Sequence, residues 1–150
     1  MGNIRLGFTL IELLTVMAIV GILCGITIGG LSSYHTRSVL LQEVERVVST
    51  LEEARALTLS SKEASQYGVH IETAKVVRFQ GNSYVSGSPN NRVYDLDPKV
   101  TIGNISLAGN SADVVFKRLT GETDQAGQFT IQSANGNTVI SIGNQGTVSY

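Results

Sequence analysis

The chain carries one cysteine, Cys24, so it can close no disulfide within itself, and a thiol in the middle of an apolar run reads as a small hydrophobic side chain. Its two prolines are Pro89 and Pro98, so no fixed helix breaker stands before residue 89. No charge occurs between Glu12 and Arg37, and no Lys or Arg follows Arg118. Eleven basic residues face 12 acidic ones, a net charge of −1, which excludes a global pull toward nucleic acid or an anionic surface. Neither His35 nor His70 has a second ligand at metal spacing, and there is no Gly-x-Ser-x-Gly elbow or other nucleophile–base pair. No enzymatic role, cofactor or metal is therefore expected. A chain of 150 residues leaves room for one membrane span and one small domain.

What is present is concentrated at the start. From Gly7 to Gly30 the chain is apolar, with Glu12 as its one carboxylate. The uncharged stretch from Leu13 to Tyr34 would be roughly 33 Å long as a helix, enough to cross a hydrocarbon core. A carboxylate in that setting costs roughly 2.5–3.5 kcal/mol on insertion scales, so it calls for a partner. The run is longer than the 7–15 residues of a secretory signal peptide, and no small-residue cleavage site follows it. A plain signal anchor has this length but gives no reason to place Glu four residues after a Phe that follows Gly.

The residues Gly7-Phe8-Thr9-Leu10-Ile11-Glu12 resemble the cleavage and methylation motif of type IV pilins and type II secretion pseudopilins. The resemblance implies a leader, Met1–Gly7, whose single base is Arg5. It implies a cut between Gly7 and Phe8 by the prepilin peptidase, with N-methylation of the new terminal Phe8. Glu12 would be the family's assembly residue, pairing with the terminal amine of a neighbouring subunit. Two buried charges are far less costly paired than alone, so docking would be rewarded only in the right axial register. The implied partners are other pilins or pseudopilins, the prepilin peptidase and the inner-membrane assembly platform. The implied place is the bacterial inner membrane, crossed once, with the C-terminal part in the periplasm or outside the cell, and then a filament.

Gly21, Gly25 and Gly29 fall at i, i+4 and i+8, one face of a helix, in a doubled small-xxx-small pattern suited to close helix packing. Beyond the span, Leu40, Val44, Val47, Leu51 and Ala54 continue an apolar stripe, widened by Leu41, Val48 and Leu57. Charged residues fill the gaps, and Glu43/Arg46 and Glu52/Arg55 stand at i, i+3. The spacing predicts one helix from about Phe8 to about Ser61. It divides the chain into a leader at 1–7, a transmembrane half at 8–34, an amphipathic half at 35–63 and a soluble β domain at 66–150.

From Gln66 onward short runs of Val, Ile, Phe and Tyr alternate with Gly, Asn, Ser and Thr. Tyr67–Glu72 and Lys75–Gln80 read as a hairpin. Tyr84-Val85, Val93-Tyr94, Val100–Leu107, Ala112–Lys117 and a final piece from Gly146 to Tyr150 read as further strands. Phe129–Ser133 and Thr138–Ile142 flank Asn135-Gly136, the strongest hairpin signal present. The segment Gly81–Pro98 reads as a loop. The expected fold class is α+β, a long N-terminal helix packed on a C-terminal antiparallel β domain.

The order of strands and glycines through Val114-Val115-Phe116, Gly121, Gly127, Phe129-Thr130-Ile131, Val139–Ile142 and Gly146-Thr147-Val148 is similar to the C-terminal domain of the GspH/FimT group of minor pilins. That similarity implies a minor pilin or pseudopilin; a DNA-binding minor pilin for DNA uptake and a major subunit of the shaft are the alternatives. The Gly-Arg-x-Arg motif of DNA-binding members is missing where it would be expected, so nucleic acid is not an expected partner. Lys117-Arg118 is the only adjacent basic pair after Gln66 and reads as a solvated strand end. Asp95 and Asp97 with Asp113 or Asp124 do not make a visible Ca²⁺ cage. Asn104-Ile105-Ser106 fits a glycosylation sequon.

Overall fold

A computed structural model describes residues 8–150, except for the side chains at positions 26–35 and 62. The chain divides into two units, Met1–His35 and Thr36–Tyr150, each taken by itself below.

Helix α1 is Leu10–Leu59 and contributes to both units. In the first unit its described part is built almost wholly of Leu, Ile, Val, Met and other helix-compatible residues, with no proline to interrupt it. Thr9 stands just outside it. The Thr9 carbonyl accepts the N–H groups of Glu12 at 3.1 Å and Leu13 at 3.2 Å. Every described side chain from Phe8 to Gly25 is exposed. A contiguous apolar surface of that length is stable only against lipid or other protein. Among the described residues, no helix is long and apolar enough to cross a membrane. The expected span at 8–34 runs into positions whose side chains lie outside the described residues.

The second unit contains the rest of α1 and two antiparallel sheets. The strands are β1 Tyr67–Ile71, β2 Lys75–Gln80, β3 Arg92–Asp95, β4 Val100–Leu107, β5 Asp113–Val115, β6 Gly127–Ser133, β7 Gly136–Ile142 and β8 Val148–Ser149. One sheet has the order β3-β2-β1-β5, the other β4-β6-β7-β8. The expected α+β architecture is the one observed, with the β region split into two sheets. The Asn135-Gly136 hairpin joins β6 to β7, in a register that pairs Ser133 with Gly136 and Phe129 with Ile140.

Leu40, Val44, Val47, Val48, Leu51 and Ala54 of α1 share one buried cluster with Val69, Ile71 and Val76 of the first sheet and Ile102, Phe129, Ile131 and Ile140 of the second. Leu41, expected to widen the stripe, is 53% exposed. At about 100° per residue it falls just past the Val48 flank of the buried arc. The arc widens on its other flank, where Glu43 and Thr50 are buried. Thr50 donates its hydroxyl to the Arg46 carbonyl at 2.8 Å, and Glu43 pairs with Arg46 at 3.3 Å. Thr58 ties the helix end to the first strand. Its hydroxyl oxygen accepts the Tyr67 N–H at 2.9 Å and donates to the Ala54 carbonyl at 2.9 Å.

β1 shows the period-2 pattern plainly. Tyr67, Val69 and Ile71 enter the shared cluster, and Gly68 and His70 take the opposite face of the sheet. There a β-carbon on Gly68 would lie 2.6 Å from the Phe79 ring, so only glycine leaves room for that ring. Tyr84-Val85 is not a strand. Gly81 (φ 120°) and Gly87 (φ 77°) turn the chain on either side of it, and it forms a loop instead. Val93-Tyr94 is a strand as expected, the centre of β3, and interrupts the loop character of the segment Gly81–Pro98. β5 is shorter than the expected Ala112–Lys117, although the Ala112 carbonyl still accepts the Ile71 N–H at 2.8 Å and Phe116 donates to the Tyr67 carbonyl at 3.1 Å.

Candidate processing and assembly segment

Phe8 and Thr9 precede the helix and Glu12 lies in its first turn. Counting Thr9 as the cap, Leu10 is the first helical residue and Glu12 the third, which is the Thr-x-x-Glu pattern of a helix start. The Glu12 N–H lies 3.4 Å from Thr9 Oγ1, so the hydroxyl shares with the Thr9 carbonyl the task of satisfying a donor that has no partner within the helix. A carboxylate in this turn also faces the positive end of the helix dipole. Thr15 caps nothing; its hydroxyl donates back to the Ile11 carbonyl at 2.8 Å, which hides a polar group inside the apolar run.

Phe8 is 88% exposed and Glu12 is exposed; among the described residues Glu12 makes no ion pair. Phe8 and Glu12 are four residues apart in sequence. Gly7, on the leader side of the expected cut, lies outside the described residues, as does the whole segment 1–7. A β-carbon on Gly21 or Gly25 would meet nothing within 4 Å, so the small-residue face is open at both. The side-chain environment at Gly29, the third member of that face, lies outside the described residues.

The other singled-out groups fall in the second unit, apart from His35, whose side chain is outside the described residues. His70 Nδ1 lies 2.5 Å from Asp113 Oδ1, and its Nε2 lies 3.7 Å from Glu72. The Tyr84 ring stacks on the imidazole, centroids 4.0 Å apart and planes 9° from parallel, while the Tyr84 N–H donates to Asp113 Oδ2 at 3.2 Å. Nothing local in the sequence joins His70 to Asp113. Their meeting comes from the β1–β5 pairing, which places them directly opposite. By contrast, the Thr9 cap has a local sequence signal, Thr-x-x-Glu, in residues that also carry the processing motif.

Several bases of this unit are committed to acids or carbonyls. Lys75 pairs with Glu72 at 3.3 Å, Arg78 with Glu53, and Lys117 with Asp124 at 2.6 Å. Arg55 donates to the carbonyls of Gly121 and Gln145, each at 3.2 Å. Hydrogen bonding to Asp124 holds the Lys117 ammonium above the ordinary lysine range, and burial pushes the Tyr67 phenol up. Asp113 is engaged with His70 and Asp124 with Lys117, so these two acids belong to separate pairs. Asn104 and Ile105 sit in a bulge of β4, where the register against β6 shifts between Gly103 and Ser106.

Residues 3–28 match the family model described as the prokaryotic N-terminal methylation motif. Two curated relatives, each named "Fimbrial protein" and each from Pseudomonas aeruginosa, align over 112 residues, covering 74% of this chain and 73% of theirs. They are 30% and 29% identical to it. No solved structure matches. A motif that brackets Phe8 and Glu12, together with an alignment reaching well into the β region, supports a single conclusion: the chain belongs to the type IV pilin family of fimbrial proteins.

Proposed function

We propose that this pilin-type chain is a minor subunit of a type IV pilus or type II secretion pseudopilus, anchored in the inner membrane and then assembled through its N-terminal helix. The observation that carries the reading is the exposed apolar face of α1 from Leu10 onward, interrupted by one carboxylate in the first turn. The prepilin peptidase cuts between Gly7 and Phe8 and methylates Phe8. The new α-amino group then stands four residues from Glu12. In an assembled filament the Glu12 carboxylate pairs with the Phe8 amine of a neighbour, and the small residues Gly21, Gly25 and Gly29, the first two with open space beside them, let helices approach closely. The role is structural: the helices stack and the β domain decorates or caps the assembly.

The minor assignment draws its support from the strand-and-glycine order between Val114 and Val148. Mass spectrometry of the protein from its native host tests the processing. The expected N-terminus is Phe8 carrying one methyl group, and a chain that keeps its first seven residues and an unmethylated Phe8 overturns the reading. Abundance in sheared filaments tests the position, since a shaft subunit would dominate the preparation and a minor subunit would be scarce.

A further inference from the structure

We infer that the pocket lined by Arg78 and Arg92 binds a carboxylate presented by an acidic peptide. The inference is independent of the processing and assembly readings. The pocket holds about 350 Å³ and lies within the second unit, between Leu57 of α1, the turn at Glu63, the strands β2 and β3 and the loop at 89–91. Arg78 and Arg92 stand directly opposite each other in the β2–β3 ladder, so their side chains share one face of the sheet. Like charges in that arrangement repel, and among the described residues an acid makes contact with only one of them. Arg78 is 9% exposed and pairs with Glu53, whose other carboxylate oxygen accepts the Tyr94 hydroxyl at 3.5 Å. Arg92 is exposed and, among the described residues, makes no ion pair.

The other groups on the wall fix what the ligand must carry besides a charge. The Asn91 amide nitrogen donates to the Val85 carbonyl at 2.8 Å, which sets the orientation of the side chain and leaves Asn91 Oδ1 buried with no donor among the described residues. A buried acceptor in that state calls for an N–H or O–H from elsewhere. The Tyr67 phenol also lines the pocket. Burial and Glu63 push it up against an opposing pull from Arg78, so it is a neutral O–H donor at ordinary pH. Gln80 is already committed: its amide nitrogen donates to Glu63 Oε2 at 3.0 Å and to Ser65 at 2.9 Å, and its carbonyl oxygen accepts from Asn90 at 2.8 Å. What remains is a guanidinium fork, a phenolic donor and one amide acceptor. A carboxylate accepts from the first two, in the two-pronged geometry that arginine favours, and a neighbouring backbone N–H serves the third. An Asp or Glu side chain on a peptide carries both groups. Glu63 is an acid on the same wall and opposes such a ligand, so its removal has a defined sign.

The test is an NMR titration of the full-length chain in detergent with three probes: acetyl-glutamate amide, acetyl-glutamine amide and acetate. The capped glutamate is expected to shift the Arg92 and Asn91 side-chain resonances saturably. The capped glutamine should bind about tenfold more weakly, as loss of a charge-assisted hydrogen bond implies, and acetate should also bind more weakly because it brings no N–H for Asn91. Arg92→Gln removes the fork and should weaken the capped glutamate about tenfold, while Glu63→Gln removes a like charge and should strengthen it. Both positions are exposed, so the backbone spectra of these variants should otherwise match the parent. Equal binding of the two capped probes, full affinity in Arg92→Gln, weaker binding in Glu63→Gln, or no saturable shift with any probe overturns the carboxylate site. Acetate held as tightly as the capped glutamate overturns the acidic peptide as the source and leaves a site for small carboxylates.

Discussion

Gly146 lies so close to Gly121 that a β-carbon at position 146 would sit 2.0 Å from the Gly121 carbonyl oxygen. Both residues have φ near +70°, and Arg55 is wedged against them, donating to that same carbonyl. The end of α1, the turn before β6 and the turn before β8 are therefore joined at one point. Gly146→Ala adds a backbone clash to an unfavourable φ. It is expected to destabilise the second unit by about 2 kcal/mol or more, read as a lower unfolding midpoint of the full chain in detergent. An unchanged midpoint would show that the two turns are not held together.

Arg55 supplies two charge-assisted hydrogen bonds to that junction, at Gly121 and Gln145. Its replacement in Arg55→Met keeps most of the aliphatic stem and removes both. The expected loss is about 1–3 kcal/mol, with faster amide exchange in the turns at 117–124 and 143–147 than elsewhere. Exchange that rises uniformly across the sheets would instead mark Arg55 as a general packing residue.

Asp113 holds the loop after β2 by accepting the Tyr84 N–H while it fixes the imidazole on which the Tyr84 ring stacks. Asp113→Ala removes both contacts, and hydrogen exchange at Tyr84 is expected to quicken roughly tenfold, as loss of one charged hydrogen bond implies. The cluster of α1 with the two sheets lies on the other face of β1, so exchange at Val69 and Ile71 should stay slow.

Glu12→Gln and Glu12→Ala remove the one carboxylate of the apolar run. Both variants are expected to enter the membrane and to be missing from sheared filaments, because the Phe8 amine of a neighbour then has no counter-charge. Immunoblots of membrane and filament fractions check this, and normal incorporation of both variants would end the pairing proposal.

Lys117 gives a prediction in pH. The hydrogen bond that Lys117 donates to Asp124 raises the folded-state value above the ordinary lysine value. A raised cation contributes stability that is fully present below the unfolded lysine value and is lost as pH rises through the higher folded one. The window is therefore alkaline, with no change near neutrality. An NMR titration of the Lys117 side chain should end higher in the native protein than in Asp124→Asn. The pair is exposed to solvent and salt, so its effect on overall stability should be small.

Much of this architecture was legible in the chain. Alternation and turn chemistry located both ends of β4 and the Asn135-Gly136 hairpin, since those signals are local. The helix stripe was readable because each apolar position recurs every third or fourth residue, yet its width was not. Leu41 fell outside and Glu43 fell inside because the arc that is buried depends on what packs against it. Tyr84-Val85 had strand-like side chains, but glycines on both sides turned it into a loop.

The motif around Phe8 and Glu12, the apolar character of the N-terminal helix and the α+β class are properties of the linear chain, because they depend on residue type and spacing alone. The separation of the strands into two sheets, the closure of Gly146 on Gly121 and the meeting of His70 with Asp113 were decided only by the tertiary structure. Each of these joins residues far apart in sequence, and no local preference encodes which strand edge a segment will find.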